Sequence, residues 1–195
     1  RKAILKKAKE EAAELLKEAG WEKDGDKLMK DGKQMKIVFS AMSGNVVTDT
    51  MIPLMIDAYG QLGIDFQAEY VDWPTLQSKS QNGTFDMLFM AWGLTADPDL
   101  TGTFASAEAG GTQNRTGYAN PELDKMLAEA LASTSKEEQK EKYKEIYKLI
   151  NEELPLYPIY ERCDLICYNT RVQNIEQSSY VKWYQQDKIV NIEVE

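Results

Sequence analysis

Residues 85–91 read FDMLFMA, an apolar run that is broken only by Asp86. A continuous run of this kind is typical of a strand that is buried on both faces of its sheet. Two strand-like runs precede it, at residues 35–41 and 65–71, and the segments between the runs carry helical signals. Because strands that alternate with helices form right-handed crossovers, the sequence predicts an α/β fold with a mixed, mostly parallel sheet flanked by helices.

Two of the predicted helices are preceded by residues that commonly form helix N-caps. Asn120 is followed by Pro121, and Ser135 lies three residues before Glu138, so both positions have the features of helix N-termini. Helices are therefore expected at residues 2–19, 48–62, 121–132 and 136–153. The sheet that these helices should cover is expected to consist of residues 35–41, 65–71, 85–91 and 156–168.

The composition excludes several classes of chemistry. The chain has 195 residues and no histidine, so a Ser-His-Asp triad, a Cys-His dyad and a histidine metal site are all impossible. Cys163 and Cys167 would lie roughly 13 Å apart on one strand, too far for a disulfide, and are expected to be small buried hydrophobes. No catalytic residue, metal or cofactor is expected.

The net charge of −9 is unevenly distributed along the chain. Residues 37–120 contain two basic residues, Lys79 and Arg115, against nine acidic ones, which gives this stretch a net charge of −7. A nucleic-acid surface needs clustered lysine and arginine, so no nucleic-acid partner is expected. An acidic surface of this kind attracts a ligand that carries a positive amine.

Four segments together resemble a known family. They are AELLKEAGW at residues 13–21, GIDF at 63–66, FDMLFMAWGLTADPD at 85–99 and NRTGYANPELDKML at 114–127. In this order and with these gaps, they resemble the extracytoplasmic solute-binding proteins of peptide-type ABC importers, the oligopeptide- and dipeptide-binding family. The resemblance extends over about residues 10–170.

The resemblance implies a two-lobed, periplasmic-binding-protein-like fold of type II, of which this chain would be a fragment. Residues 1–170 would form the second, ligand-binding lobe, and residues 171–195 would return towards a first lobe that the fragment lacks. The whole protein would capture a peptide or another small solute outside the cytoplasm and deliver it to the permease subunits of the transporter. It would be a monomer, either free in the periplasm or held on the membrane by a lipid anchor outside this fragment.

The resemblance also implies which residues contact the ligand. They are Asp97, Asp99, Trp92, Asn114, Trp73 and Tyr118. Asp97 matches an aspartate that pairs with the α-amino group of the peptide. Asp99 is an alternative for the same role, because the spacing between Trp92 and Asp97 is longer than is usual in the family. Asp97 and Trp92 each have a structural alternative: Asp97 could be a turn residue before Pro98, and Trp92 could be the end of a buried strand.

Other functions remain open at this point. The same family binds nickel complexes and oligosaccharides, and a non-catalytic interaction domain is a further alternative. Asp97 and Asp99 alone give little support to an acid–base pair or a calcium site. Arg115 could bind a ligand carboxylate, or it could pair with a carboxylate of the chain itself.

Overall fold

The computed structural model describes residues 2–93, 99–161, 167, 169–174 and 193–194. The chain divides into two compact units, residues 1–91 and residues 92–195, which are described separately below. Among the described residues, none of the helices combines the length and the apolar character needed to cross a membrane.

The first unit contains a small antiparallel sheet and a parallel sheet. Its elements are α1 (Lys2–Glu18), β1 (Glu22–Asp24), β2 (Lys27–Lys30), β3 (Lys33–Gln34), β4 (Lys36–Met42), α2 (Val46–Gln61), β5 (Asp65–Val71), α3 (Trp73–Asn82) and β6 (Met87–Leu88). β1, β2 and β3 form consecutive antiparallel hairpins. β4 lies between β5 and β6 and pairs in parallel with both, so the predicted α/β class and the parallel sheet are confirmed.

Alternating side chains of β4 face opposite sides of this sheet. Phe39 and Ala41 are buried in an apolar cluster with Ile52 of α2 and Phe66 of β5. Val38 and Ser40 lie on the other side, along a groove that Lys79 of α3 also lines. The sheet of the first unit is therefore accompanied by helices on both faces, as the βαβ pattern predicts.

Two expectations for the first unit are wrong. The run at residues 85–91 pairs with β4 only over Met87–Leu88. Its apolar residues are half-buried, or exposed at Ala91, rather than fully buried, because β6 lies at the edge of the described sheet. Helix α1 does not cover the sheet, since Ile4 is 73% and Leu15 65% exposed. After α1 the chain continues into the β1–β3 hairpins. Lys9 of α1 donates a hydrogen bond to the side chain of Gln61, at the end of α2.

The second unit is built around a helical hairpin. Its elements are α4 (Thr101–Phe104), α5 (Pro121–Leu131), α6 (Lys136–Glu153), β7 (Val172–Gln173) and β8 (Glu193–Val194), the two strands pairing antiparallel. Leu123 and Leu127 of α5 pack with Ile146 of α6 in a core that is closed to solvent. The predicted N-caps hold, because the side chains of Asn120 and Ser135 both accept hydrogen bonds from backbone amides of the first helical turn.

Two expectations for the second unit are also wrong where the structure describes them. Residues 156–161 form no strand, and Tyr157 is 77% exposed. Pro155 and Pro158 each lack the backbone N–H that a strand would need for pairing. Cys167 is an exposed free thiol rather than a buried hydrophobe, while Cys163 and residues 162–166 lie outside the described residues.

The division into a lobe of residues 1–170 and a returning segment of residues 171–195 stays a prediction.

Candidate functional site

The carboxyl ends of β4 and β5 carry the first set of candidate groups. The amide of Ser43 donates a hydrogen bond to the carbonyl of Val71 (2.9 Å), so the chain segments that follow the two strands remain adjacent. Asp72 then caps α3 by accepting a bond from the amide of Thr75 (2.9 Å). The hydrogen bonds from the side chain and backbone of Thr75 lower the pKa of Asp72. The carboxylate of Asp72 therefore serves as the N-cap of α3.

Trp73 lies in the first turn of α3, immediately after this cap. Its side chain is 49% exposed, so part of the indole is available for contact with another molecule. Tyr70, at the end of β5, is 48% exposed and is a further candidate that no sequence pattern indicates. Large exposed aromatic residues at the carboxyl edge of a parallel sheet are suited to contact apolar parts of a ligand. The ligand role of Trp73 stays a prediction.

A polar network on the α3 side of the sheet was also not predicted from the sequence. The Nζ of Lys79 lies 2.8 Å from the Oε2 of Glu69, and the buried hydroxyl of Ser40 donates to the same oxygen (2.9 Å). The bond from Lys79, followed by that from Ser40, lowers the pKa of Glu69. The sequence feature that could have predicted this ion pair is the rarity of basic residues in residues 37–120. A lysine with many acidic neighbours in the sequence is expected to pair with a carboxylate.

In the second unit, residues 105–120 connect α4 to α5 and form the Asn114 loop. The amide side chain of Asn114 holds this loop together. Its Nδ2 donates to the carbonyls of Ala105 (2.9 Å) and Tyr118 (2.7 Å). Its Oδ1 accepts bonds from the amide (3.1 Å) and hydroxyl (3.0 Å) of Thr116. Both ends of the Asn114 amide are therefore engaged inside the loop, and its contribution to a ligand site would come through the shape of that loop.

Two acidic side chains fasten this loop to the helical hairpin. Asp124 of α5 accepts bonds from the amide (2.8 Å) and hydroxyl (2.6 Å) of Ser106. Glu153, at the end of α6, accepts a bond from the hydroxyl of Tyr118 and another from the Nδ2 of Asn120 (3.0 Å). Burial raises the pKa of Tyr118, and the Glu153 carboxylate raises it further. The loop thus has a defined conformation that the helices support.

A close backbone approach at Gly111 completes the loop. A Cβ at this position would overlap the carbonyl oxygen of Ala105 and lie only 2.9 Å from that of Ser106. The Gly111 amide donates to the Ser106 carbonyl (2.8 Å), a bond that needs this proximity. Glycine at this position is required by space alone.

The remaining candidates lie at the start of the second unit. Trp92 is 39% exposed, and the Oδ1 of Asp99 accepts a hydrogen bond from the amide of Thr101 (2.9 Å). Asp97 lies outside the described residues. Asp99, Asn114 and Tyr118 therefore belong to one connected region between residues 99 and 120, whereas Trp73 belongs to the first unit.

Metal binding has little support in the described part of the chain. No three side chains of the cysteine, aspartate and glutamate type are grouped there so that they could hold an ion.

Comparison with known proteins gives the family. The sequence profile of the bacterial extracellular solute-binding proteins, family 5 Middle, matches residues 2–114, which include the parallel sheet and most of the Asn114 loop. The chain belongs to this family. The resemblance inferred from the four sequence segments is thereby confirmed, and the family consists of solute-binding proteins rather than of enzymes.

Two similar proteins illustrate the match. The oligopeptide-binding protein AppA of Bacillus subtilis is 28% identical over 153 residues, which are 76% of this chain and 28% of AppA. A probable di/tripeptide-binding protein 5 of Pseudomonas aeruginosa is 34% identical over 102 residues, 51% of this chain and 19% of that protein. The chain thus matches less than a third of the length of either relative.

The fold of AppA is also shared. The structure of AppA in complex with a nonapeptide superposes with a TM-score of 0.70 at 28% identity and covers 75% of this chain and 30% of AppA. AppA therefore contains a fold similar to about three quarters of this chain as part of a larger structure.

Proposed function

We propose that this chain is the ligand-binding part of a longer solute-binding protein that serves an ABC importer. The whole protein would capture peptides outside the cell, free in the periplasm or as a lipoprotein, and deliver them to the membrane permease. The observation that carries this proposal is the combined sequence and structural match to AppA, whose structure was determined with a nonapeptide. The probable di/tripeptide-binding protein of Pseudomonas aeruginosa supports the same ligand class.

The charge of the chain supports a ligand with a free amine. Residues 37–120 have a net charge of −7, and this stretch contains both the carboxyl edge of the parallel sheet and the Asn114 loop. When a cleft closes over a peptide, its ammonium group loses water and needs an acidic partner. Asp97 is our first choice for this partner and Asp99 the second, with Trp92, Trp73 and Tyr118 as contacts to the rest of the ligand.

The test is calorimetric titration of the intact protein with peptides that have a free or an acetylated amine. Acetylation should weaken binding by roughly 2–4 kcal/mol, which is about 30- to 700-fold, because one partner of a buried charge pair is removed. Asp97→Asn should cause a similar loss, and the two losses should not add, because both break the same contact.

Asp99→Asn is the matched control in the same loop. If Asp99→Asn is the damaging change, the assignment within the loop is wrong while peptide capture stands. Equal binding of free and acetylated peptides by every variant would contradict recognition through the amine. Absence of peptide binding, together with binding of a neutral oligosaccharide or a nickel complex, would overturn the peptide proposal itself.

A further inference from the structure

The side of α2 that faces away from the sheet is apolar. Ile52 packs into the apolar cluster of the sheet and is 2% exposed. In contrast, Val46 is 77%, Leu54 69% and Ile56 43% exposed. Pro53 is exposed as well, so positions 46, 53 and 54 have the i, i+7, i+8 spacing of a single helix face. Exposed apolar residues grouped on one face are typical of a protein–protein interface, whereas single ones occur on any surface.

Helix α6 shows how a helix face that stays in water is built in the same chain. Its exposed side carries lysine and glutamate in ion pairs one turn apart, such as Lys144 with Glu141 (2.6 Å). The 16 residues of α2 contain no lysine or arginine, and the only charged side chains are Asp49 and Asp57. The exposed surface of α2 therefore combines apolar groups with negative charge alone. We call its exposed residues Val46, Asp49, Pro53, Leu54, Ile56 and Asp57 the outward α2 face.

The two carboxylates indicate what kind of partner covers this face. Among the residues that the structure describes, neither Asp49 nor Asp57 lies within ion-pair distance of a lysine or arginine. Permanent interfaces are more hydrophobic, whereas an apolar centre with charges at its rim is typical of a partner that binds and leaves. A second copy placed on the face by a two-fold axis would bring only aspartates from both sides, and like charges oppose such pairing. The outward α2 face thus fits a transient partner of opposite charge.

The outward α2 face begins at the edge of the sheet that carries candidate ligand groups. Asn45 caps α2 shortly after β4, and the amide of Ser43 is bonded to the carbonyl of Val71 at the end of β5 (2.9 Å). Val46 and Trp73 therefore both follow the carboxyl ends of neighbouring strands. A partner on the outward α2 face would contact the protein beside this edge, where a component that receives the ligand has to bind.

We propose that the outward α2 face is a docking surface for the permease subunits of the importer. This inference rests on the proposed function and adds to it the surface and the chemistry of the contact. The permease would present an apolar surface whose rim carries lysine or arginine. Opposite charges on the two surfaces accelerate the encounter, and salt weakens this effect because exposed charges are screened.

The experiment measures how the intact protein, loaded with dialanine or tetraalanine, stimulates ATP hydrolysis by the importer in proteoliposomes. Leu54→Lys places a charge in the apolar centre of the face, and Asp57→Lys reverses a charge at its rim. Leu131→Lys is the matched control for the first variant, because Leu131 is an exposed leucine of α5. Glu152→Lys is the control for the second, at an exposed position near the end of α6. Calorimetry with the same two peptides and thermal unfolding of each variant accompany the assay.

Leu54→Lys should raise the protein concentration that gives half-maximal stimulation about 10- to 100-fold, because a central apolar contact is replaced by a charge. Asp57→Lys should raise it about 3- to 10-fold at low ionic strength, and the difference from the wild type should shrink at high salt. Both controls should remain within about twofold of the wild type. Peptide affinity should be the same in all five proteins, since none of the changes lies among the proposed ligand contacts.

The inference is overturned if Leu54→Lys and Asp57→Lys stimulate the importer as well as their controls do. It is also overturned if Leu54→Lys unfolds at a lower temperature than Leu131→Lys while Asp57→Lys stimulates normally, because the face is then covered by another part of the longer chain. A wild type that sediments as a dimer, and a monomeric Leu54→Lys, would identify a second copy as the occupant instead. If the wild type binds neither peptide, the proposed function fails and this inference fails with it.

Discussion

Replacement of Gly111 by alanine should destabilise the second unit selectively. The new methyl group would overlap the carbonyl oxygen of Ala105 and lie 2.8 Å from its carbonyl carbon. Because these are backbone atoms, no side-chain rotation can relieve the overlap. One segment of the loop must therefore move by more than about 1 Å to restore an ordinary van der Waals contact of roughly 3.5 Å.

The cost follows from the contacts that such a shift breaks. The Gly111 amide would lose its bond to the carbonyl of Ser106 (2.8 Å), and the Nδ2 of Asn114 would lose its bond to the carbonyl of Ala105 (2.9 Å). Two hydrogen bonds contribute about 1–3 kcal/mol together. Ala105 is only 1% exposed, so its packing in the core also suffers. We expect the free energy of unfolding of the second unit to fall by about 2–4 kcal/mol.

Gly102→Ala is the matched control, because it makes the same chemical change nearby. A Cβ at residue 102 would meet only the Thr112 hydroxyl oxygen, at 3.8 Å, and Gly102 lies within α4, where alanine is favoured over glycine. Urea unfolding followed by circular dichroism, with amide hydrogen exchange to separate the two units, measures both variants. If Gly111→Ala is as stable as Gly102→Ala, the close packing of this loop is not what the structure implies.

Two further predictions concern the core and the polar network. Leu123→Ala should lower the free energy of unfolding by about 2–5 kcal/mol, because Leu123 is fully buried between α5 and α6, whereas Leu131→Ala, at a 44% exposed position, should cost less than about 1 kcal/mol in the same urea titration. Glu69 has a lowered pKa when folded, so its contribution to stability is present above the unfolded value of 4.5 and is lost as the pH falls through the folded pKa. Glu69→Gln should therefore flatten the acid side of the stability profile of the first unit, and a profile identical to that of the wild type would show that the contacts with Lys79 and Ser40 do not persist in solution.

Much of the fold could be predicted because local signals and tertiary structure agree. Asn120 and Ser135 start helices where their side chains suggested, and β5 has the expected bounds, Asp65–Val71. Such caps depend on hydrogen bonds over two or three residues, which are fully visible in a sequence. The predictions that failed depended on partners far along the chain. An apolar run such as residues 85–91 becomes a central strand only if another strand covers its outer edge, and α1 is buried only if something packs on it.

The candidate site shows the same division between local and distant information. That Asp99 accepts a bond from Thr101 is a turn contact over two residues, of a kind that aspartate and asparagine commonly make. The bond between Glu153 and Tyr118 joins residues 35 positions apart, and the pair between Lys79 and Glu69 depends on which face of α3 lies towards the sheet. Neither could be derived from residue spacing, because both require the packing of one element against another.

The structure also shows a structural role of Asn114 that the sequence could not distinguish from ligand contact. Asn114 and Arg115 are neighbours, and either could have been a ligand contact or a structural residue. The amide of Asn114 is fully used within the loop, by two carbonyls and by Thr116, whereas among the described residues the guanidinium of Arg115 has no carboxylate partner. A polar side chain whose hydrogen bonds are satisfied inside the protein gains little from a ligand. The satisfied hydrogen bonds of Asn114 therefore favour a role for this residue in the construction of the loop.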